Sequence, residues 1–167
     1  MFVIFWRKLR SFLQLPVYDQ LQVPIIWVLL GISRAITLVM PFRCFSNILG
    51  QSAGTLVCSA ILTSTQAQQA RRCGGLIRAT SEITPWKSLC FQQALVACVL
   101  LRRLDVPYVV HFGIIKNKLP GDNQLMKAHA WVAAGPVAVI GGSGNLANFT
   151  VVGTFHSNCL SYTNLLV

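Results

Sequence analysis

Two residues have the type and the setting to do chemistry. Cys90 follows Pro85-Trp86-Lys87-Ser88-Leu89 and precedes a long apolar run, which predicts a place in the first turn of a helix. Unpaired backbone N–H groups and the positive end of the helix dipole lie there and favour a thiolate, so a cysteine at such a position can become a nucleophile. His129 stands in Lys127-Ala128-His129-Ala130-Trp131-Val132, where strand alternation puts His129, Trp131 and Ala133 on one face. An imidazole held on a strand beside an aromatic ring is placed to act as a general base. A helix-N-terminal cysteine followed 39 residues later by a strand histidine is a nucleophile–base pairing. Cys98, two turns beyond Cys90 on the same helix face, fits a small buried hydrophobe, and His111 and His156 fit satisfied structural side chains.

The elements that must hold these two residues follow from periodicity. Phe5, Leu9, Phe12 and Leu13 are spaced as one helix face opposite Arg7, Lys8 and Arg10, predicting an amphipathic helix over Phe2 to Leu15 that Pro16 stops. A second helix is predicted over Ile25 to Val39, with Pro41 beyond its end. Gly50 to Gly54 is expected as a small-residue loop, and Leu56 to Ala70, apolar turning Gln-rich, as a helix. After Pro85 come an apolar helix from Ser88 to Leu104, a turn at Asp105-Val106-Pro107 and a β-rich run from Tyr108 to Ile115. Lys116 to Lys127 is expected as a loop, Ala128 to Ala134 and Val137 to Ile140 as strands joined at Gly135-Pro136, and Phe149 to Phe155 as a last strand. Helices first, then a helix packed on an antiparallel sheet, is an α+β architecture. The expected division is a helical N-terminal region over 1–72 and a core over 73–167.

Composition narrows the function classes. The 167 residues carry 14 Lys+Arg against 4 Asp+Glu, a net charge of +10, and only 11% are charged while 54% are hydrophobic. Disorder is excluded, and a chain of this length can bury roughly 70% of its unfolded surface. Cys44, Cys58, Cys73, Cys90, Cys98 and Cys159 include no CxxC pair, which argues against a zinc ribbon or a disulfide scaffold. Cys90, His129 and any third ligand lack zinc spacing, so neither metal nor cofactor is expected. Apolar residues precede the first basic ones, the reverse of a secretory signal, which points to the cytoplasm. Nucleic acid is not an expected partner: no basic run exceeds Arg71-Arg72 or Arg102-Arg103, and no aromatic–basic recognition motif is present. The apolar run Val23 to Met40, interrupted by Arg34, suits a buried helix, with a peripheral membrane contact as the other use of the N-terminal segment. Gly141-Gly142-Ser143-Gly144 lacks the lysine of a phosphate loop and reads as a turn. Asn148-Phe149-Thr150 matches a glycosylation acceptor that an intracellular chain does not use.

Several segments together resemble the lasso-peptide leader peptidases, small transglutaminase-like (papain-like) cysteine proteases of bacterial peptide biosynthesis. They are Ile32-Ser33-Arg34, Leu38 to Arg43, Pro85 to Cys90, Ala94-Leu95 through Arg102-Arg103, Val110 to Ile114, and Ala128-His129-Ala130-Trp131-Val132. The resemblance implies a transglutaminase/papain-like core and removal of the leader from a ribosomal precursor peptide, freeing the core amine that a separate lasso cyclase joins to an acidic side chain. It makes Cys90 the nucleophile and His129 the base, with the Cys90 N–H as oxyanion donor. The family triad usually closes with an Asp after the His. No Asp or Glu follows Asp122 here, and Asn145 is the candidate in its place; otherwise a backbone carbonyl holds the histidine, or activity is weak or lost. The resemblance also implies a separate leader-recognition protein as partner. Two other function classes remain open on the residues: a non-catalytic membrane- or partner-binding relative, in which Cys90 is inert, and an acyl transferase using the same thioester.

Overall fold

A computed structural model describes residues 16–55, 58–116, 126–142 and 146–157 of the chain. The expected helix over Phe2 to Leu15 lies outside the described residues, as do the middle of the 116–127 loop, Asn145 and Cys159.

Helix α1 runs Val17–Val39, eight residues longer at its start than the sequence pattern predicts. Pro16, with φ −52°, precedes the first turn, and its carbonyl accepts the N–H groups of Asp19 and Gln20. Pro24, expected near the helix start, is carried inside α1 on its exposed side. A proline inside a helix removes one backbone bond. What holds the turns before it is the buried Asp19 carboxylate, 2.6 Å from Arg72 Nε, with the Tyr18 ring stacked under the same guanidinium at 5.5 Å. Pro41 then opens the four-residue helix α2, Phe42–Phe45, continued by a 3₁₀ turn over Ser46–Ile48.

The expected loop from Gly50 to Gly54 contains a short strand, β1 (Gln51–Ser52), paired with the last strand of the sheet. Gly50 makes that approach possible: its φ is +113°, and a Cβ there would lie 2.0 Å from the His156 carbonyl oxygen. Helix α3 is Ser64–Ser81 and not Leu56 to Ala70. Its start is set by a reciprocal cap: Thr63 Oγ1 accepts the Gln66 N–H at 3.3 Å, and Gln66 Oε1 accepts the Thr63 N–H at 3.0 Å. It continues past Arg71 and Arg72 because these face solvent while Ala70, Cys73, Leu76, Ile77 and Thr80 form the buried stripe.

Helix α4 is Cys90–Arg103, followed by strands β2 (Val109–Lys116), β3 (Met126–Ala134), β4 (Val137–Ile140) and β5 (Thr150–His156). All pairings are antiparallel, in the order β1-β5-β2-β3-β4, so the expected α+β architecture is the observed one. Helix α3 packs on β4 and α4 on β3, and α1 lies across α3 and α4. The core between these layers holds Ile26 and Leu30 of α1, Ile77 of α3, Leu101 of α4 and Val110, Val132 and Ile140 of the sheet.

The α3–β4 contact is close enough to depend on a single hydrogen. A Cβ on Gly74 would sit 2.3 Å from the Val139 carbonyl oxygen, whereas one on the neighbouring Gly75 meets nothing within 4 Å. That same carbonyl accepts a bond from Arg78 Nη1 at 3.1 Å, so it cannot simply swing away. Gly74→Ala is therefore expected to lower stability by about 1–3 kcal/mol through overpacking. Gly75→Ala is expected to raise it by about 0.5–1 kcal/mol through helix propensity. Paired thermal melts of the two variants check the contact.

Candidate active site

Cys90 is the first residue of α4 and is half-buried. The link before it is tied down locally. The Thr84 hydroxyl lies 2.8 Å from the Ser81 carbonyl, 2.9 Å from the Trp86 carbonyl and 3.1 Å from Ser88 Oγ, and Gln93 Nε2 donates to the Ser88 carbonyl at 2.8 Å. Trp86 anchors the link to α1, its ring 4.8 Å from that of Trp27 and over Gly31. Gln92 is buried and accepts the Leu89 N–H on Oε1 at 2.8 Å while donating from Nε2 to Thr37 Oγ1 of α1 at 3.0 Å. Leu89, at the N-cap, has no side-chain acceptor to offer the first-turn N–H groups of α4, and Gln92 takes only the Leu89 N–H itself. The leading N–H groups of α4 and the positive end of the helix dipole lie at the Cys90 end, where they can receive an oxyanion.

His129 lies near the start of β3, opposite Gly113 of β2. Its Nε2 is 2.9 Å from the carbonyl oxygen of Gly141, just after β4. A carbonyl oxygen only accepts, so the ring proton sits on Nε2 and Nδ1 is the basic nitrogen of the neutral ring. The ring is stacked on Trp131 with centroids 6.1 Å apart and an interplanar angle of 22°; Phe149 lies 5.5 Å from it and 6.2 Å from Trp131, so the three rings form one cluster. Gly113 makes room for this wall: a Cβ there would lie 2.7 Å from the Trp131 ring and 2.9 Å from Phe149 Cβ.

The two residues share one end of the sheet. Phe91, next to Cys90, packs on Phe112 at 5.6 Å, and Phe112 pairs with Ala130, the neighbour of His129. They do not share a face. Helix α4 packs on the face that carries Val110 and Val132, while alternation along the regular β2–β3 ladder turns His129 and Trp131 to the opposite one. Among the described residues no hydrogen bond joins the Cys90 thiol to the His129 ring. Asn145, the sequence candidate for orienting His129, lies outside the described residues. The group that does meet Nε2 is the Gly141 carbonyl, which a search for polar side chains passes over; the signal available was the glycine-rich run itself.

A family model described as the transglutaminase-like superfamily matches residues 35–154, from within α1 to β5. The chain belongs to this superfamily. It includes cysteine peptidases and acyltransferases. No curated protein and no solved structure matches the chain.

The remaining candidates in this transglutaminase-like domain are structural. Cys98 is fully buried beside the Tyr108 hydroxyl, and burial pushes its thiol up to about 12; Cys73 is pushed to about 12 by the same cause. Arg102 Nη2 donates to Tyr108 Oη at 2.9 Å and to the Ile48 carbonyl at 3.0 Å. A cavity of about 370 Å³ lined by Arg102, Asp105, Gln51 and Ser157 lies at the far end of α4 from Cys90. Among the described residues no group of three or more His, Cys, Asp or Glu is placed to hold a metal ion. His156 Nδ1 lies 2.9 Å from the Ser157 carbonyl.

His111 is buried on the face shared by His129, with Nδ1 3.3 Å from Thr154 Oγ1 and its ring 5.3 Å from that of Trp131. Burial pushes its pKa below the ordinary value of 6.5. The unfolded chain therefore binds the proton first as pH falls. The stabilising contribution of neutral His111 is full above pH 6.5 and is lost below it, down through the folded-state value. The melting temperature is expected to fall between pH 7 and pH 5, and to fall less in His111→Gln, as calorimetry across that range can show.

Proposed function

We propose that the chain is a cysteine peptidase that removes the leader from a ribosomal precursor peptide, with Cys90 as nucleophile and His129 as base. The observation that carries this reading is Cys90 as the first residue of α4 in a transglutaminase-like domain whose His129 has Nε2 held by a carbonyl and Nδ1 basic. In the proposed reaction, for which bound peptide must bring the Cys90 thiol and the His129 ring together across the end of the sheet, His129 Nδ1 takes the Cys90 proton and the thiolate attacks the scissile carbonyl. The tetrahedral oxyanion collapses with expulsion of the core amine, which receives the proton from the His129 imidazolium. A water then attacks the thioester, His129 taking its proton and returning it to the departing Cys90 sulfur, and the leader leaves as a carboxylate. The core amine is freed for ring closure by a separate cyclase.

The net charge of +10 suits an acidic leader, and exposed Lys87, Leu89, Met126 and Lys127 surround the Cys90 and His129 end. A separate leader-recognition protein and a cytoplasmic location belong to the same proposal. One observation favours a second reading: the Cys90 thiol and the His129 ring stand on different faces of the sheet, as a non-catalytic, partner-binding relative can tolerate.

The test is incubation of the full chain with a candidate precursor peptide and a candidate recognition protein, encoded by genes beside its own, in ¹⁸O-water, read by mass spectrometry. Leader release with ¹⁸O in its new C-terminal carboxylate, absent in Cys90→Ala, is the expected result. Transfer to an amine without ¹⁸O uptake moves the assignment to acyl transfer. Release undiminished in Cys90→Ala, or no release with the recognition protein present, overturns the catalytic reading.

A further inference from the structure

Helix α1 buries one side and leaves the other open. Asp19, Ile26, Leu30 and Ser33 face inward, held by the Asp19–Arg72 ion pair and the bond from Gln92 to Thr37. On the opposite side Leu21, Ile25, Val28, Ile32, Ala35 and Val39 follow one another at steps of four and three, and all are exposed, Leu21 by 64%, Val28 by 51% and Val39 by 82%. With 23 residues the helix is about 34 Å long. The most apolar 18-residue window of α1 has a mean hydropathy of 1.7, and only 17% of it is buried. An apolar stripe of this extent on a folded domain marks a contact surface.

Charge selects what covers it. The only acidic residue of α1 is Asp19, which is buried against Arg72. Arginines flank the stripe: Arg103 borders a groove with Tyr18, Leu21 and Ile25, half-buried Arg34 lies on the helix itself, and exposed Arg43 follows its end. A second copy packed stripe to stripe brings these arginines together with no carboxylate on either helix free to pair with them. An anionic bilayer offers an apolar layer for the stripe and negative charge for its rim. The chain as a whole, with 14 Lys+Arg against 4 Asp+Glu, is attracted in the same sense.

We propose that α1 docks the domain on an anionic phospholipid bilayer, the helix lying in the plane of the interface with its exposed stripe inserted. It lies in the surface and does not cross it, because α3 and α4 cover its other side through the Asp19–Arg72 ion pair and the bond from Gln92 to Thr37. This docking is independent of the catalytic reading.

The experiment is sedimentation of the full chain with vesicles of 7:3 phosphatidylcholine and phosphatidylglycerol, beside pure phosphatidylcholine. Partitioning to the anionic vesicles is expected to exceed that to the neutral ones at least tenfold. It is expected to fall at least tenfold in Val28→Glu and in Ile32→Glu, severalfold in Arg103→Glu and with rising salt, and to be unchanged in Cys90→Ser. The glutamates are placed at solvent-exposed positions, and melting temperatures within a few degrees of the unsubstituted chain show that the fold persists. No partitioning, partitioning indifferent to the stripe substitutions, or a lipid-free dimer that Val28→Glu dissociates overturns the proposal.

Discussion

Cys90→Ala is expected to remove turnover on the precursor peptide, by roughly 10⁴-fold or more, with little change in melting temperature. The size follows from what the thiol does in the proposed reaction: without it no thioester forms, and only binding and oxyanion contacts remain to help water. The small effect on stability follows from its position. Cys90 is half-buried at the first position of α4, and the contacts that fix the helix start belong to Gln92, Gln93 and Thr84, which the substitution leaves in place. Alkylation by iodoacetamide near pH 7 gives a reading that needs no substrate. Cys73 and Cys98, whose thiols burial pushes well above the ordinary value, sit in the core, so they are expected to stay unlabelled in the folded chain. Cys44 is exposed on α2 and serves as the internal reference for an accessible cysteine. Labelling at Cys90 that outruns Cys44 and disappears in Cys90→Ala is the expected pattern. Equal rates at the two positions mean that the helix N-terminus does not activate Cys90, and the nucleophile assignment fails.

What the sequence made legible were the elements whose signal is local. Helix α4 follows from an apolar run bounded by Pro85 and by Asp105, whose φ of +50° ends the chain's helical course, and the β3–β4 hairpin from strand alternation around Gly135, with φ +52°. The misplacements are cases where a tertiary or side-chain contact overrode the pattern. Pro24 looked like a boundary, but the Asp19–Arg72 pair, 53 positions apart in sequence, holds α1 beyond it. The start of α3 was hidden because Thr63 and Gln66, two unremarkable polar residues, form the cap. Strand β1 has two residues and no periodicity to detect; it exists because Gly50 lets the backbone reach β5. At the candidate site the same division holds. Cys90 at a helix start and His129 stacked with Trp131 follow from spacing alone, whereas the partner of the histidine is the backbone oxygen of Gly141, which residue types cannot announce. Strand alternation correctly grouped His129 with Trp131. Which face α4 would occupy depends on where the core forms, and the apolar content of β2 and β3 on both faces left that open.

The Gly141 carbonyl is also the source of the second large effect. A triad acid would both fix the histidine tautomer and stabilise the imidazolium that forms during reaction; a neutral carbonyl does the first and only partly the second. His129→Gln is accordingly expected to lower kcat by about 10²–10⁴-fold, the usual share of a general base, with KM for the precursor nearly unchanged because the ring is packed against Trp131 and Phe149. Moving the carbonyl and leaving the imidazole is the finer probe. In Gly141→Ala the new Cβ falls 2.6 Å from the Ala130 oxygen at a residue whose φ is +71°, so the backbone must shift and the bond to Nε2 is lost. A misplacement of that order costs about 10²-fold in kcat. Because Gly141→Ala strains the β4 exit, its melting temperature is measured alongside, and Gly142→Ala, whose Cβ meets Ala138 and not the His129 strand, is the matched control for strain without loss of the bond. If both glycine variants lose kcat equally, the carbonyl is not an orienting group. If only Gly141→Ala does, and His129→Gln abolishes the difference between them, the backbone oxygen is acting through the imidazole, and this domain completes its catalytic set without an acid.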